Sequence, residues 1–355
     1  MSIIFRELLK KVGSGSHTHK DLTREEAANA TEMILNEDAT PAQIGAFLIA
    51  HRIKRPTSEE LAGMLDAYDQ LGCTVPRLSG DPIVTVMGTP YDGRSRTAPV
   101  TLLTALMLAA SGVPVIQHGG DCMATKYGIP LVEIWQGLGI DFTRLSLTQV
   151  HQSLETTRFG FIYTPNHFPA TQSLVNYRDQ IGKRPPFATI ELIWLPYAGN
   201  VHLVAGFVHP PTEEFMQGTL ALRGVNNYTL VKGLEGSCDL PRERTAIIST
   251  HKPGDSEPYQ RLKLHPRDYG FEGKEVPLES KEQLLAQIKD VLAGKSSELQ
   301  KSVIWNGGFY LWRCGVCPAL EDGLSKAESL LTTGALQRQL TEIESTVSYS
   351  NRHSG

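Results

Sequence analysis

The feature that most constrains this chain is a pair of short apolar strands between residues 81 and 139, each running directly into a polar turn. The first, Pro82-Ile83-Val84-Thr85-Val86-Met87, opens into Gly88-Thr89-Pro90-Tyr91-Asp92-Gly93-Arg94-Ser95-Arg96-Thr97, and an apolar helical run over residues 100–110 follows. The second, Val113-Pro114-Val115-Ile116, empties into Gln117-His118-Gly119-Gly120-Asp121. A strand that feeds a glycine-bearing turn and then a helix presents backbone N–H groups and a helix N-terminus to an anion. Two such exits, about thirty residues apart, belong at the carboxyl edge of one parallel sheet, where open α/β folds bind their ligands.

On either side the pattern changes. Residues 1–76 carry helix signals only and read as an all-helical domain. Thr23-Arg24-Glu25-Glu26 and Thr57-Ser58-Glu59-Glu60 each fit a capping box, and Thr40-Pro41 supplies a third helix start. The apolar faces over residues 44–48 and 61–68 exceed what so small a module buries alone, which predicts a homodimer. From residue 77 to residue 355 strand-like and helix-like segments alternate, the mark of a larger α/β domain with a central, largely parallel sheet. Residues 188–194 and 201–208 read as buried strands, and residues 171–182 as a helix that returns to the helical domain. Residues 281–292 and 325–340 read as amphipathic helices. Residues 237–280 have no order that periodicity reveals.

With 355 residues, 41% of them apolar and 20% charged, the chain has the composition of a globular protein of two domains. No apolar run approaches the ~20 residues that span a bilayer, so no membrane partner is expected. The first residues, Met1-Ser2-Ile3-Ile4-Phe5-Arg6-Glu7, lack a signal-peptide core, which predicts a cytoplasmic location. The five scattered cysteines, Cys73, Cys122, Cys238, Cys314 and Cys317, read as reduced thiols. Cys314-Gly315-Val316-Cys317 has no second pair to complete a zinc site and lies in an apolar run. A net charge of −4 gives no global attraction to nucleic acid. Local basic clusters at Arg94/Arg96 and Lys183/Arg184 leave a groove for a phosphate backbone open.

Gly88-Thr89-x-x-Asp92-Gly93 and Gln117-His118-Gly119-Gly120 resemble two signatures of the anthranilate phosphoribosyltransferase family, Gly-Thr-Gly-Gly-Asp-Gly and Lys-His-Gly-Asn. The resemblance starts at Asp21-Leu22-Thr23-Arg24-Glu25-Glu26-Ala27, continues through Ala42-Gln43-Ile44-Gly45-Ala46-Phe47-Leu48 and reaches Gly160-Phe161-Ile162-Tyr163 with His167. It implies a helical dimerisation domain, an α/β domain and a cleft between them. There phosphoribosyl pyrophosphate, a phosphorylated small molecule, gives its phosphoribosyl group to an aromatic or nitrogenous acceptor.

Carried across by position, the resemblance assigns donor binding to Gly88, Thr89, Asp92, Gly93, Thr101, His118 and Gly119; the family's loop lysine falls at Gln117, and Lys126, nearby in sequence, is the lysine expected to serve instead. The added cations Arg94 and Arg96 are expected at the same anion. Tyr163, His167 and Arg178 match the acceptor wall, with Arg178 placed to engage an acceptor carboxylate. The family's magnesium-binding Asp-Glu pair falls at Cys238-Asp239, which leaves Asp239, with Glu235 or Asp121 in support, as the expected Mg2+ ligands. Pro90 and Tyr91 stand where the family has two glycines. Proline lacks an N–H and tyrosine keeps a backbone from approaching closely, so the phosphate cradle is altered at its centre. Ordinary anthranilate transfer is the step this puts in question. The rival reading is a catalytically silent dimer that binds nucleic acid on the same fold.

Overall fold

A computed structural model of the chain describes residues 2–15, 17–257 and 259–352. Four helices come first: α1 (Ile3–Gly13), α2 (Arg24–Leu35), α3 (Pro41–Lys54) and α4 (Ser58–Leu71). The capping boxes form at Thr23 and Thr57, where each hydroxyl accepts an N–H from the glutamate three residues on and that carboxylate returns to the threonine N–H. Thr40 makes the same reciprocal pair with Gln43. Glu60 goes further than capping. It is buried and accepts hydrogen bonds from the Leu22 N–H and from Lys54 Nζ, both at 2.9 Å, which ties α4 to α3 and to the entry of α2. Burial pushes its carboxyl up, but His51, Leu22 and Lys54 together hold it at about 2.

The α/β part begins with β1 (Val84–Met87), α5 (Thr101–Ala110) and β2 (Val115–Gly119). It continues through α6 (Leu131–Gly137), α7 (Leu147–Thr157) and β3 (Phe159–Tyr163). Next come α8 (Thr164–His167), α9 (Ser173–Ile181), α10 (Phe187–Ile193), β4 (Val201–Gly206) and α11 (Pro210–Leu222). Then follow β5 (Tyr228–Val231), β6 (Ala246–His251) and β7 (Gln260–Leu264). The chain closes with α12 (Lys281–Leu292), α13 (Glu298–Arg313), α14 (Leu320–Thr332) and α15 (Ala335–Arg352).

The strands form one seven-stranded sheet in the order β3-β2-β1-β4-β5-β6-β7. The first five in that order are parallel, with Val86 beside Ile116 on one side and Leu203 on the other, while β6 and β7 add antiparallel. Every residue of β1 and β2 is buried, as in a sheet covered by helices on both faces. From β1 the connections run outward through β2 to β3, and on the other side through β4 to β5. The strand order therefore reverses between β1 and β4, and the crevice beyond their carboxyl ends is where such a sheet receives a ligand. Helices α9, α10 and α11 lie over that edge and pack on α3 and α4, so the helical domain forms the far wall of the crevice.

Three expectations are corrected. Residues 188–193 belong to helix α10 rather than to a strand, and Trp194 follows it in an extended conformation. Their apolar run suits either state, but Pro185-Pro186 enters with helical torsions at Pro186 (φ −55°, ψ −24°) and the buried face at Phe187, Ile190 and Ile193 has helical spacing. The single helix expected over residues 325–340 is split by Gly334, whose φ of +69° ends α14 before α15 begins. The apolar faces of α3 and α4 are consumed within the chain, since Ile44, Phe47, Leu48, Leu61 and Tyr68 are all buried. Exposed apolar surface lies instead at Ile3, Ile4 and Ile53 on α1 and α3. Among the described residues no helix is long and apolar enough to cross a membrane.

Candidate functional site

Beyond the carboxyl ends of β1 and β4 lies a cavity of about 430 Å³ lined by four cationic side chains, Arg52, Arg96, Lys126 and Arg184, with Thr189 and Thr212 between them. Arg52 comes from α3, Arg96 and Lys126 from the turns after β1 and β2, and Arg184 from the proline-bracketed entry to α10. A neighbouring cavity of about 260 Å³ shares Arg52, Arg184, Thr189, His209 and Thr212 and adds Arg55. The two form one basic groove between the domains.

The turn after β1 forms the floor. Gly88 runs so close to α10 that a Cβ on it would sit 1.9 Å from the Leu192 carbonyl oxygen. Gly93 has a φ of +73° and a Cβ there would lie 2.5 Å from Gly128. Both positions demand glycine for packing inside the chain. Between them Tyr91 is buried, and its hydroxyl sits 2.7 Å from His118 Nδ1. Burial keeps His118 neutral, with a pKa of about 3, and it packs edge-on to Trp194. The tyrosine is thus packed into the chain's interior at a position where the resemblance expects glycine. Thr89 is buried beside it, and Gly119 ends β2 on the same edge. The Asp92 carboxylate, also buried, is reached by Arg184 at 3.2 Å and Lys126 at 3.9 Å. Lys126 donates to the carbonyls of Gly93 (3.2 Å) and Glu235 (3.1 Å). Burial lowers its pKa, an effect opposed chiefly by Asp92.

Arg94 departs from expectation. Its guanidinium does not reach into the cavity but turns inward, 4% exposed, and bridges the two carboxylates expected to hold a metal. One nitrogen donates to Asp239 Oδ2 at 2.7 Å and to Ser237 Oγ at 2.7 Å, and Nε donates to Glu235 Oε1 at 3.3 Å. The remaining valences of both acids are filled. Asp239 also accepts from the Val100 N–H at 3.1 Å and from Thr101 Oγ1 at 2.7 Å. Glu235 accepts the N–H groups of Ser95, Arg96 and Thr97 at 3.0–3.2 Å. Although burial pushes the Glu235 carboxyl up, Arg94 and these amides hold it at about 2. Cys238, between them in the chain, is a buried thiol pushed up to about 12. Among the described residues no group of three or more histidine, cysteine, aspartate or glutamate side chains has metal-binding geometry.

The expected acceptor wall is also engaged internally. Arg178 is buried and ion-paired with Glu191 on α10. Burial works against its charge, but the Glu191 carboxylate overrides this and raises its pKa. His167 takes the Tyr163 N–H at Nδ1 (3.1 Å) and donates from Nε2 to the Leu145 carbonyl (2.8 Å), which fixes the turn after β3. The Tyr163 hydroxyl donates to Asp121 at 2.8 Å. Tyr163, His167 and Arg178 line neither cavity of the basic groove.

The structure therefore brings Arg96 and Lys126 to the groove and gathers Arg94, Thr101, Glu235 and Asp239 into one saturated network. Arg52, Arg184 and Glu191 were not among the expected site residues. Arg184 had a signal in Lys183-Arg184 followed by two prolines, a charged turn stiffened at a helix entry; Glu191 and Arg52 had none.

Two family models match the chain: the helical bundle domain of a glycosyl transferase family over residues 6–72 and the a/b domain of a glycosyl transferase family over residues 80–337. An anthranilate phosphoribosyltransferase of Aromatoleum aromaticum is 25% identical over 346 residues, 96% of this chain and 97% of its own. That of Albidiferax ferrireducens is 24% identical over 330 residues, 92% of each chain. Among solved structures, anthranilate phosphoribosyltransferase of Saccharomyces cerevisiae in complex with phosphoribosyl pyrophosphate and magnesium superposes with a TM-score of 0.81 at 18% identity, covering 98% of this chain and 99% of that one. The enzyme of Thermus thermophilus gives 0.77 at 22% identity, covering 96% and 99%. A helical bundle followed by an α/β domain, matched in that order along nearly the whole length, places the chain in the anthranilate phosphoribosyltransferase family of glycosyl transferases.

Proposed function

We propose that the chain binds a phosphorylated sugar donor of the phosphoribosyl pyrophosphate class in the basic groove and transfers its phosphoribosyl group to an aromatic or nitrogenous acceptor other than anthranilate. The observation that carries this is the convergence of Arg52, Arg96, Lys126 and Arg184 on one cavity at the point where β1 and β4 part. In such a transfer the acceptor nitrogen attacks the ribose carbon as its bond to the pyrophosphate oxygen breaks. The work of the protein is to position the partners and to neutralise the departing charge. Guanidinium groups match phosphate oxygens in a forked geometry, and Lys126 adds a point charge.

Magnesium accompanies the donor in the yeast neighbour, but Asp239 and Glu235 do not fit it here. Their oxygens are taken by Arg94, hydroxyls and backbone amides, and a hard divalent cation needs free oxygen ligands. The positive charge at this point is the chain's own.

Calorimetric titration with phosphoribosyl pyrophosphate tests the reading. Binding is expected with equal affinity in magnesium and in a chelator, and Lys126→Ala with Arg184→Ala should weaken it at least about tenfold, as loss of charge-assisted contacts does. Absence of binding in both buffers would remove the donor from the account.

A second reading has one observation in its favour. The groove continues to Arg55, which with Arg52 and Arg184 makes a succession of cations such as a phosphate backbone meets. Single-stranded DNA in the same titration decides between them: binding that falls steeply with salt, without donor binding, favours nucleic acid.

We also propose a homodimer formed through α1 and α3, supported by exposed Ile3 (66%), Ile4 (63%) and Ile53 (72%) on these helices. Sedimentation is expected to give twice the chain mass at micromolar concentration and to give the monomer after Ile4→Glu with Ile53→Glu. A wild-type monomer would end the proposal.

A further inference from the structure

At the opposite, amino edge of the sheet a separate cavity of about 200 Å³ is lined by Thr85 of β1, His202 of β4, Asn227, Lys252, and Arg313 with Cys314 at the end of α13. Four arginines of the described chain are buried: Arg94, Arg178, Arg242 and Arg313. The first three each meet a carboxylate, Arg94 at Glu235 and Asp239, Arg178 at Glu191 and Arg242 at Glu298. Arg313 meets none among the described residues. It is 6% exposed, Nε donates to Thr229 Oγ1 at 3.1 Å, and Nη2 donates to the Tyr228 carbonyl at 3.4 Å.

Lys252 lies on the same cavity, and its ammonium likewise forms no ion pair among the described residues. Asp255 accepts the Lys252 backbone N–H at 2.9 Å and acts on Arg313 only through space. The carboxyl end of α13 gives Arg313 a partial negative charge, about half an electron, which offsets only part of one guanidinium. A buried cation without a counter-ion is costly, and natural chains pair it or bind an anion there.

The neighbours have matching chemistry. Burial first, then the fields of Arg313 and Lys252, hold His202 neutral at about 3. Its Nε2 is 2.9 Å from Thr229 Oγ1, and its Nδ1 is 3.6 Å from Cys314 Sγ. Burial raises the Cys314 thiol to about 11, so at neutral pH it is a weak donor rather than a nucleophile. Two cations, a neutral imidazole, a thiol and the Thr85 hydroxyl supply donors and no fixed negative charge.

We propose that this pocket is a second anion site, which takes a small dianionic oxyanion of the phosphate class, either free phosphate or the phosphoryl group of a small metabolite. Two uncompensated cations select a dianion over a single carboxylate, and about 200 Å³ limits the occupant to a small one. The site lies on the other side of the sheet from the basic groove and does not depend on what that groove binds.

The test uses the whole chain at about pH 9, where a thiol held near 11 is roughly 1% thiolate, and reads the slow rate at which iodoacetamide alkylates Cys314, followed by peptide mass. Inorganic phosphate is expected to slow that reaction saturably, whereas chloride at matched ionic strength leaves it unchanged. Lys252→Met, a substitution at an exposed position, should raise the half-protecting phosphate concentration at least about tenfold. Arg313→Gln should abolish the protection if the variant folds. Lys126→Ala should leave it intact, which separates this site from the groove. Ribose 5-phosphate in a parallel series identifies the source: stronger protection than phosphate assigns a phosphorylated metabolite, equal or weaker protection assigns free phosphate. Unchanged alkylation of the wild type at millimolar phosphate, or equal slowing by chloride, would overturn the proposal.

Discussion

Given phosphoribosyl pyrophosphate and anthranilate, the purified chain should form phosphoribosylanthranilate at least ~10⁴-fold more slowly than an ordinary enzyme of its family. Two interactions are absent, and each transition-state contact of about 3 kcal/mol is worth roughly a hundredfold in rate. On the donor side, Pro90 offers no N–H, and Tyr91, where the resemblance expects glycine, is a bulky residue buried against His118. On the acceptor side, the guanidinium matched to the family's carboxylate-binding arginine is Arg178, which is already committed to Glu191. An incoming carboxylate would have to displace a buried internal one and leave Glu191 uncompensated, which costs about 3–5 kcal/mol when such a pair is broken. Formation of the product at ~1–10³ turnovers per second would show this reading of both sites to be wrong. Glu191→Ala supplies the control, because it should lower stability by about 3–5 kcal/mol and be partly rescued by benzoate entering the vacated position.

The two replacements share a logic. Where the resemblance expects a magnesium ion, at Glu235 and Asp239, this chain has Arg94. Where the resemblance expects an acceptor carboxylate, it has Glu191. Each external ion has an internal counterpart of the same sign, held by the partners expected to bind the ligand. At this end of the sheet the cations left facing a ligand are those of the outer groove, Arg52, Arg96, Lys126 and Arg184, of which Lys126 and Arg184 share the single buried Asp92.

The legible parts of the fold were those encoded locally. Thr23, Thr40 and Thr57 announce helix starts because a cap and its partner are three residues apart. Gly88 and Gly93 announce a tight turn because no other residue fits it, although only the structure reveals that the close neighbours are Leu192 and Gly128. Arg94 misled for the opposite reason. Its position after a glycine in a strand exit resembles that of a ligand-binding arginine, and its true partners, Glu235 and Asp239, lie 141 and 145 residues away. Periodicity carries no information across such a separation. Glu191 was hidden in an apolar run that reads equally as a strand or a buried helix, and once α10 forms, helical geometry aims that carboxylate at Arg178. The groove cations come from three separate regions of the chain, so only tertiary structure assembles them.

Stability should fall steeply in mild acid, and two buried histidines account for most of the slope. His118 and His202 are each held at about 3, the first by burial and the second by burial together with Arg313 and Lys252. Above pH ~6.5 both are neutral in the folded and unfolded chain and contribute no pH dependence. As the pH falls below that value the unfolded chain takes up two protons that the folded chain refuses, so the unfolded state gains. Each histidine contributes about 1.4 kcal/mol per pH unit, and at pH 4.5 the pair should cost about 5 kcal/mol relative to pH 7.5. The loss ends near pH 3, where the folded histidines themselves protonate. Denaturant unfolding in phosphate-free buffer across this range measures the slope directly. His118→Gln should remove about half of it, since an amide of similar length keeps the Tyr91 contact and does not titrate. A stability that stays flat from pH 7.5 to pH 4.5 would mean that neither ring is held neutral in the folded chain, and the closed packing of Tyr91, His118 and Trp194 would have to be given up with it.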